Sequence, residues 1–393
     1  MESDPRAALW PNYNPPHDLI FTHGRGSELF SKEGDAYLDF LSGIAVTSFG
    51  HSHPHLIAAL NEQAGKVWHV SNLFRVPAAE LLAQRLVQHS FADNVFFANS
   101  GAESVEAGLK AMRSYHAANG SPQRTRIIGF KNSFHGRTIA TVAAAGNKSH
   151  IQNFVPADQG FDHVEWDNIE ALRASVGSTT AGVLLEPIQG EGGIRPVSKE
   201  YLKAIRSICD EEGLLLMFDE VQCGVGRSGH LFAHQYYGVF PDVMALAKGL
   251  GGGFPIGACL TNNAVGKTMV VGTHGSTFGG NPLAAAVANA VMDLLLEDEC
   301  LSRVMQKGEY LRDELSGLQV KYPKLIDSVH GLGLMIGVKC KIPNTDLANA
   351  LKDRGLLVVG SGSNMVRLLP PLNIEHSHLE TAIGIMDSVL GEM

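Results

Sequence analysis

The chain has 393 residues, of which 45% are hydrophobic and 18% are charged, so it can bury a large core and form roughly two or three domains. This composition excludes a small disulfide-stapled protein and a disordered one. Its 40 acidic residues outnumber its 31 Lys and Arg residues, and the formal net charge of −9 provides no general field that would attract nucleic acid or an anionic membrane.

Short apolar runs alternate with longer helical patterns over the first part of the chain. This alternation predicts an α/β fold with a mostly parallel sheet between helices. Ligands of such sheets collect at the carboxyl ends of the strands. The predicted strands are VFFA at 95–98, RIIGF at 126–130, GVLLEP at 182–187, LLLMFDE at 214–220 and DVMALAK at 242–248.

After Pro282 the pattern changes to that of a smaller α+β domain. The predicted elements there are helices at 283–297 and 301–318, short strands near 334–339 and 356–359, and a final helix from about 376 to 390.

The segment VFFANSGAESVEAGLKAMRSYH predicts a strand, a tight turn and a helix, with Ser100 and Glu103 as a capping box. Gly101 allows close backbone approach, and the free N–H groups of a helix start attract anions. The segment therefore predicts a phosphate site, although a capped helix without a ligand is the alternative interpretation.

Two ionisable residues follow predicted buried strands directly. Asp219 ends the apolar run LLLMFD, where a carboxylate needs a cationic or strongly hydrogen-bonding partner to remain ionised. Lys248 follows DVMALA and precedes the glycine loop GLGGGFP, where desolvation can leave a neutral amine able to attack a carbonyl. A structural ion pair or metal ligand is the alternative for Asp219, and a snorkelling structural lysine is the alternative for Lys248.

A phosphate site, a buried carboxylate and a Schiff-base lysine are together what pyridoxal phosphate (PLP) requires. Its ring accepts electrons only while the ring nitrogen stays protonated, and Asp219 could hold that proton by charge pairing. The three features therefore predict a PLP enzyme with Lys248 as the covalent attachment point and the later proton carrier.

The sequence also resembles the class III (ω-) aminotransferases of PLP fold type I, and among them the bacterial acetylornithine aminotransferases. The most specific motifs are FDEVQ and AKGLGGGFPIGA, with 29 residues from Asp219 to Lys248. The other motifs, which extend the resemblance over nearly the whole chain, are YLDFLSGIAV, GHSHP, NSGAES, SFHGRT, LLEPIQGEGG, THGSTFGGNPLA and VRLLPPLNI.

The resemblance implies how the cofactor is held. Gly101 and Ala102 would give backbone N–H groups to the phosphate, and Phe134 would stack on the pyridine ring. Val221 would pack on the other face of the ring, and Gln222 would lie near the phenolic oxygen.

The resemblance also implies domains and an assembly. Residues 61–282 would form the large PLP-binding domain and residues 283–393 the small domain, to which residues 1–60 would contribute. Ser276 and Thr277 would reach the phosphate of the neighbouring subunit, which implies a homodimer with shared active sites.

Substrate recognition is expected to depend on Arg137, Glu186 and Arg367. By resemblance, Arg137 would bind a substrate carboxylate and Arg367 the α-carboxylate of glutamate, while Glu186 would cover Arg367 when the donor presents a distal amine. An ordinary salt bridge between Glu186 and Arg367 is the alternative interpretation.

The implied reaction is ping-pong exchange between N2-acetyl-L-ornithine and 2-oxoglutarate, giving N-acetyl-L-glutamate 5-semialdehyde and L-glutamate in arginine biosynthesis. N-succinyl-diaminopimelate is the nearest alternative substrate, ahead of ornithine, GABA and putrescine. A PLP-fold protein that binds without turnover is the alternative from another functional class.

Three segments resemble motifs of other functions. NNAVGKT at 262–268 lacks the first P-loop glycine, and GLGLMIG at 331–337 lacks the third glycine of a dinucleotide fingerprint. His51, His53 and His55 have no nearby carboxylate or cysteine to complete a metal site, so we predict no metal.

Two residues depart from the family pattern. Phe74 stands where many relatives have tyrosine, and Cys223 where threonine is usual. Each change removes a hydroxyl, which could shift substrate or cofactor contacts.

The expected location is the cytoplasm. The five scattered cysteines show no C-x-x-C spacing, which argues against disulfides and zinc, and the N-terminus has no basic region followed by an apolar one. The most apolar long stretch, 283–296, is too short to cross a bilayer as a helix of about 20 residues.

Overall fold

The computed structural model describes residues 8–13, 15–16, 18–147, 151–152, 154 and 159–393. Seventeen strands in this part of the chain are β1 (Phe21–Arg25), β2 (Glu28–Ser31), β3 (Ala36–Asp39), β4 (Asn94–Ala98), β5 (Arg126–Phe130), β6 (Phe161–Val164), β7 (Thr180–Leu185), β8 (Ile188–Gln189), β9 (Arg195–Pro196), β10 (Leu215–Asp219), β11 (Val243–Leu246), β12 (Gly257–Thr261), β13 (Ile326–Leu332), β14 (Met335–Cys340), β15 (Leu356–Leu357), β16 (Val359–Ser361) and β17 (Met365–Leu368).

The helices lie between these strands and after them. Their bounds are Pro54–Ala64, Pro77–Gln88, Gly101–Ala118, Ile139–Ala145, Ile169–Ser175, Lys199–Glu212, Ala233–Tyr237, Asn263–Gly266, Pro282–Leu295, Cys300–Lys321, Asn344–Asp353 and His376–Glu392, with a short 3-10 turn at Lys248–Leu250. Among the residues that the structure describes, none of the helices is both long and apolar enough to span a bilayer. The cytoplasmic location stays a prediction.

The large sheet has seven strands in the order β4-β12-β11-β10-β7-β5-β6. The pairs β11-β10, β10-β7, β7-β5 and β5-β6 are parallel, whereas β12 runs antiparallel to both of its neighbours. The mostly parallel sheet is therefore confirmed, and each of the five predicted runs contains a strand of it. Strands β6 and β12 were not predicted.

Helices cover both faces of this sheet. Along β10, Leu216 and Phe218 pack into the cluster that contains the helix Lys199–Glu212, while Leu215 and Met217 pack into the cluster with the helix Gly101–Ala118. Successive side chains of a strand point to opposite faces, so a strand covered on both sides must be apolar except at its end. All five residues of β10 are buried.

The carboxyl ends of the parallel strands bring the candidate residues to one edge of the sheet. Asp219 ends β10, Glu186 follows β7, and Lys248 comes two residues after β11. The helix that begins at Gly101 starts just after β4. These positions support the prediction that the chemistry lies at this edge.

The C-terminal part forms an antiparallel sheet in the order β13-β14-β17-β16. The predicted strands near 334–339 and 356–359 correspond to β14 and β15, whereas β13, β17 and the helix Asn344–Asp353 were not predicted. Strand β15 pairs in parallel with β3, so N-terminal and C-terminal residues share a second sheet. This pairing is compatible with an N-terminal contribution to the small domain, but the boundaries at 60 and 282 stay predictions.

The motif-like segments have structural roles. The GLGLMIG segment forms the turn and second strand of the β13-β14 hairpin. In NNAVGKT, the Asn262 side chain caps a single helical turn that does follow a strand, β12. His51 pairs with Asp39 and His55 with Asp293. In the described ranges, no three His, Cys, Asp or Glu side chains are grouped to hold a metal ion, and all five cysteines are buried and free.

Candidate active site

A cavity of about 310 Å³ lies at the carboxyl edge of the large sheet. Eight of the site residues predicted from the sequence line this cavity: Gly101, Ala102, Phe134, Glu186, Asp219, Val221, Gln222 and Lys248. The tertiary structure therefore brings one amine, two carboxylates and a helix N-terminus to one space.

The helix start that borders the cavity is capped as predicted, with one difference. The Ser100 hydroxyl oxygen accepts a hydrogen bond from the Glu103 N–H at 3.2 Å, but the Glu103 carboxylate accepts from the N–H of Asn99 instead of Ser100. A Cβ atom added to Gly101 would lie 2.7 Å from Cγ1 of Val221. Only glycine lets the helix backbone approach the cavity wall this closely.

Asp219 is held by two hydrogen bonds inside the protein. Its Oδ1 accepts from the Val221 N–H at 3.0 Å, and its Oδ2 lies 2.8 Å from Nδ1 of His135. Burial lowers the pKa of His135, but the hydrogen bond and charge of Asp219 outweigh it, so the net pKa is raised. The two hydrogen bonds thus fix the position of the Asp219 side chain at the cavity wall.

Sequence reasoning missed His135, although it lies in the quoted motif SFHGRT. Its ring is fully buried, and its Nε2 atom has no hydrogen-bond partner among the described residues. The motif was the available signal, but the pairing with Asp219 spans 84 residues and depends on the fold.

Lys248 occupies a strained backbone position at the cavity wall. Its φ is 43°, in the left-handed region that side-chain-bearing residues seldom adopt. Burial of the amine lowers the pKa of Lys248, and the nearby Arg367 charge lowers it further, while Glu191 and Asp219 oppose the shift. The net lowering favours the neutral, nucleophilic amine.

Glu186 does not pair with Arg367, contrary to our expectation. Its carboxylate accepts hydrogen bonds from the N–H groups of Phe134 and Gly190, at 3.1 and 3.2 Å. Glu186 directly follows β7, and its side chain is buried at the edge of the large sheet. This burial raises the pKa of its carboxyl to about 7. It therefore anchors two loops of the cavity wall.

Glu191 takes the covering position that we had expected for Glu186. Its Oε1 lies 2.7 Å from an Arg367 guanidinium nitrogen, and the Gln222 side-chain oxygen accepts from the same nitrogen at 3.3 Å. Arg367 is only 1% exposed, and its Nε has no hydrogen-bond partner in the described ranges. The motif LLEPIQGEGG contains two glutamates, Glu186 and Glu191. The sequence favoured Glu186 as the partner of Arg367, but the structure pairs Arg367 with Glu191.

Arg137 lies next to the cavity wall but is exposed. Its guanidinium carbon is 5.2 Å from the centre of the Phe134 ring, which itself lines the cavity. This cation–π contact places a positive charge where a substrate could enter.

Ser276 and Thr277 line a neighbouring cleft, not the Lys248 cavity of their own chain. Asn99 belongs to both walls, and its amide donates to the Ser276 hydroxyl at 3.1 Å. The two residues are therefore accessible to another molecule on the outer side of the same helix start.

The two departures from the family pattern lie apart from the cavity wall. Cys223 is 1% exposed and packs in a cluster with Ile188 and Ala233, where burial raises the pKa of its thiol. Phe74 is 70% exposed. A direct effect of Cys223 on substrate contacts is not supported by this position.

The residues present fit a phosphorylated aromatic aldehyde that is bound through an amine. The cavity contains a lysine with a lowered pKa, a hydrogen-bonded carboxylate and the free N–H groups of a capped helix. Gly136 adds space, because a Cβ there would lie 2.7 Å from Cβ of Ala102. Its φ of 133° also disfavours any other residue.

The Aminotransferase class-III family model matches residues 10–390. The chain belongs to this family. Its cofactor is pyridoxal phosphate.

Among curated proteins, this class-III aminotransferase is 52% identical to the acetylornithine aminotransferase of Mesorhizobium japonicum, over 93% of this chain and 92% of that one. It is 50% identical to the Brucella melitensis acetylornithine aminotransferase, over 95% and 94% of the two chains.

Solved structures confirm the fold of a large α/β domain with a smaller α+β domain. N-acetylornithine aminotransferase from Stenotrophomonas maltophilia superposes with a TM-score of 0.84 at 35% identity, covering 96% of both chains. Ornithine aminotransferase from Toxoplasma gondii superposes with a TM-score of 0.94 at 31% identity, covering 98% of this chain and 93% of that one.

We expect the Glu186→Gln variant to change how stability depends on pH. A carboxyl whose pKa rises from 4.5 when unfolded to about 7 when folded stabilises the protein fully below pH 4.5. That stabilisation, about 3 kcal/mol at most, is lost as the pH rises through 7. The Tm of the variant relative to wild type should therefore increase from pH 5 to pH 8.

Differential scanning fluorimetry of the holoenzyme checks this prediction. Glu33→Gln is the matched control, because Glu33 is exposed. Parallel Tm profiles for wild type and Glu186→Gln would contradict it.

Proposed function

We propose that the enzyme transfers the distal amino group of N2-acetyl-L-ornithine to 2-oxoglutarate, giving N-acetyl-L-glutamate 5-semialdehyde and L-glutamate, a step of arginine biosynthesis. The observation that carries this proposal is the pairing of the buried Arg367 with the partly exposed Glu191 beside Lys248. About 50% identity to acetylornithine aminotransferases, over more than nine-tenths of the chain, supports it.

The cofactor residues have separate tasks. When bound, PLP withdraws electrons from the carbon that carries the substrate amine, which makes its hydrogen acidic. Gly101 and Ala102 would hold the phosphate with backbone N–H groups, and Asp219 would keep the ring nitrogen protonated. Phe134 and Val221 would pack against the ring.

Lys248 would have two successive roles. Its amine would first attach the cofactor covalently. When it is not attached to the cofactor, its Nζ would take the proton from the substrate carbon that carries the amine. The lowered pKa of Lys248 supports both roles, because each requires an unprotonated amine.

The Arg367–Glu191 pair would let one pocket accept two kinds of substrate. An α-carboxylate of glutamate or 2-oxoglutarate would displace Glu191 and use the unpaired Nε of Arg367. A donor that presents a distal amine brings no carboxylate to this place, so Glu191 would remain and neutralise the buried guanidinium. Arg137, at the outer wall, would bind the remaining carboxylate.

We also infer a homodimer in which Ser276 and Thr277 serve the phosphate of the partner subunit. Their cleft is open on the outer side of the helix start at Gly101. Large apolar side chains near them are exposed, with Val271 fully exposed and Phe278 60% exposed. Exposed apolar side chains beside an open cleft support burial of this region against a partner subunit.

The preferred donor distinguishes the proposed function from its neighbours. With 2-oxoglutarate as acceptor, we expect the highest kcat/KM for acetylornithine among acetylornithine, succinyl-diaminopimelate, ornithine and GABA. The structural likeness to ornithine aminotransferases makes ornithine the relevant competitor. Ornithine or GABA in first place would overturn the substrate assignment.

Lys248 should be the attachment point of the cofactor. Borohydride treatment of the holoenzyme, followed by peptide mapping, should place the cofactor mass on the peptide that contains Lys248. The Lys248→Ala variant should carry no such label. A label on another peptide, or none on the wild type, would contradict the assignment.

Glu191→Gln tests the covering role. Without the carboxylate, Arg367 remains positively charged, so glutamate should react more readily and acetylornithine less readily. The kcat/KM for acetylornithine divided by that for glutamate, measured in separate half-reactions, should fall about 10- to 100-fold. An unchanged ratio would remove the covering role of Glu191.

A further inference from the structure

The strand that carries Arg367 begins at a hairpin tip that also contacts the loop carrying Glu191. The hairpin tip comprises residues 362–364, between β16 and β17, and the glutamate loop comprises residues 190–194. The glutamate loop lies between β8 and β9, shortly after β7 of the large sheet, whereas the hairpin tip belongs to the C-terminal sheet.

Three contacts join the glutamate loop to the hairpin tip and to Met365, the first residue of β17, in addition to the Arg367–Glu191 ion pair. The Gly362 N–H donates to the Glu191 carbonyl oxygen at 2.8 Å, and the Ser363 hydroxyl donates to the Gly192 carbonyl oxygen at 3.0 Å. The Ile194 N–H donates to the Met365 sulfur at 3.2 Å. The backbone of the glutamate loop is therefore held at Glu191 itself and at two residues on its C-terminal side.

The backbones of the hairpin tip and the glutamate loop lie very close together. A Cβ atom added to Gly362 would lie 2.8 Å from the Glu191 carbonyl oxygen, closer than real Cβ contacts. A Cβ atom on Gly193 would lie 3.0 Å from the Gly362 carbonyl oxygen. The two backbones therefore approach closely, and moving the loop away from the hairpin would break the three hydrogen bonds.

The hairpin tip is itself rigidly supported. Ser363 and Asn364 both have positive φ, at 57° and 56°, which persists only where the surroundings hold it. The Asn364 amide donates to the carbonyl oxygens of Cys340 and Ile342 at 2.8 and 2.7 Å. The tip is thus a fixed anchor for the glutamate loop.

We propose that the hairpin tip determines substrate preference, with Ser363 and Met365 as positioning residues that hold the backbone of the glutamate loop. This proposal depends on the dual-substrate function proposed above. Because the backbone is held, Glu191 uncovers Arg367 by rotation of its side chain alone. Loosening the loop weakens the ion pair and shifts the population toward the uncovered state, which favours glutamate over the distal-amine donor.

Ser363→Ala is the first test, with Ser361→Ala as its matched control. Ser361 lies on the same hairpin, and its hydroxyl is buried without a hydrogen-bond partner in the described part of the chain. In half-reactions of the holoenzyme, Ser363→Ala should lower the acetylornithine-to-glutamate ratio of kcat/KM by about 3- to 10-fold. Ser361→Ala should leave the ratio unchanged.

Met365→Leu is an independent second variant. Leucine nearly preserves the volume but removes the sulfur that accepts from the Ile194 N–H. We expect the same direction of change, with acetylornithine impaired mainly through KM and glutamate unimpaired or improved. General structural damage would instead lower both half-reactions together.

The outcomes separate this proposal from the proposed function. If Glu191→Gln shifts the ratio but neither Ser363→Ala nor Met365→Leu does, or if both half-reactions fall in parallel, the hairpin tip has no role in preference. If wild type does not use acetylornithine, the proposed function fails. The hairpin tip is then tested with the best distal-amine donor in the same ratio.

Discussion

Enclosure of charged groups at one edge of the large sheet is the constraint on which the rest of the site depends. Asp219, Glu186 and Arg367 are each at most 5% exposed, and such groups are tolerated only with specific partners. His135 and the Val221 N–H serve Asp219, while Glu191 and Gln222 serve Arg367. These partners hold the side chains that the chemistry needs.

The sheet creates this constraint through its own apolar interior. A parallel strand covered by helices on both faces can place a polar side chain only at its end, so β7 and β10 deliver Glu186 and Asp219 to the same edge. The same enclosure lowers the pKa of Lys248 and raises that of Glu186. Burial raises the pKa of Glu186 to about 7, although the hydrogen bonds from the N–H groups of Phe134 and Gly190 oppose this shift.

The small domain completes the site from the other side. Arg367 comes from β17, and it is neutralised by a glutamate that follows β7 of the large sheet, 176 residues earlier. In the proposed function, substrate preference depends on how these two segments contact each other. The hydrogen bonds from the hairpin tip fix the position of the glutamate loop relative to β17. A single exposed ion pair would not fix it.

The sequence by itself determined the mostly parallel sheet and the places of Gly101, Asp219 and Lys248, because apolar runs, a cap and strand-end polar residues are local patterns. Only the tertiary structure decided which side chains pair with one another. Glu186 and Glu191 are five residues apart in one motif, and no local pattern says which one meets Arg367. Likewise, the contact of His135 with Asp219 and the antiparallel pairing of β12 join residues that are distant in the chain. Such contacts contribute energy only once the fold has formed.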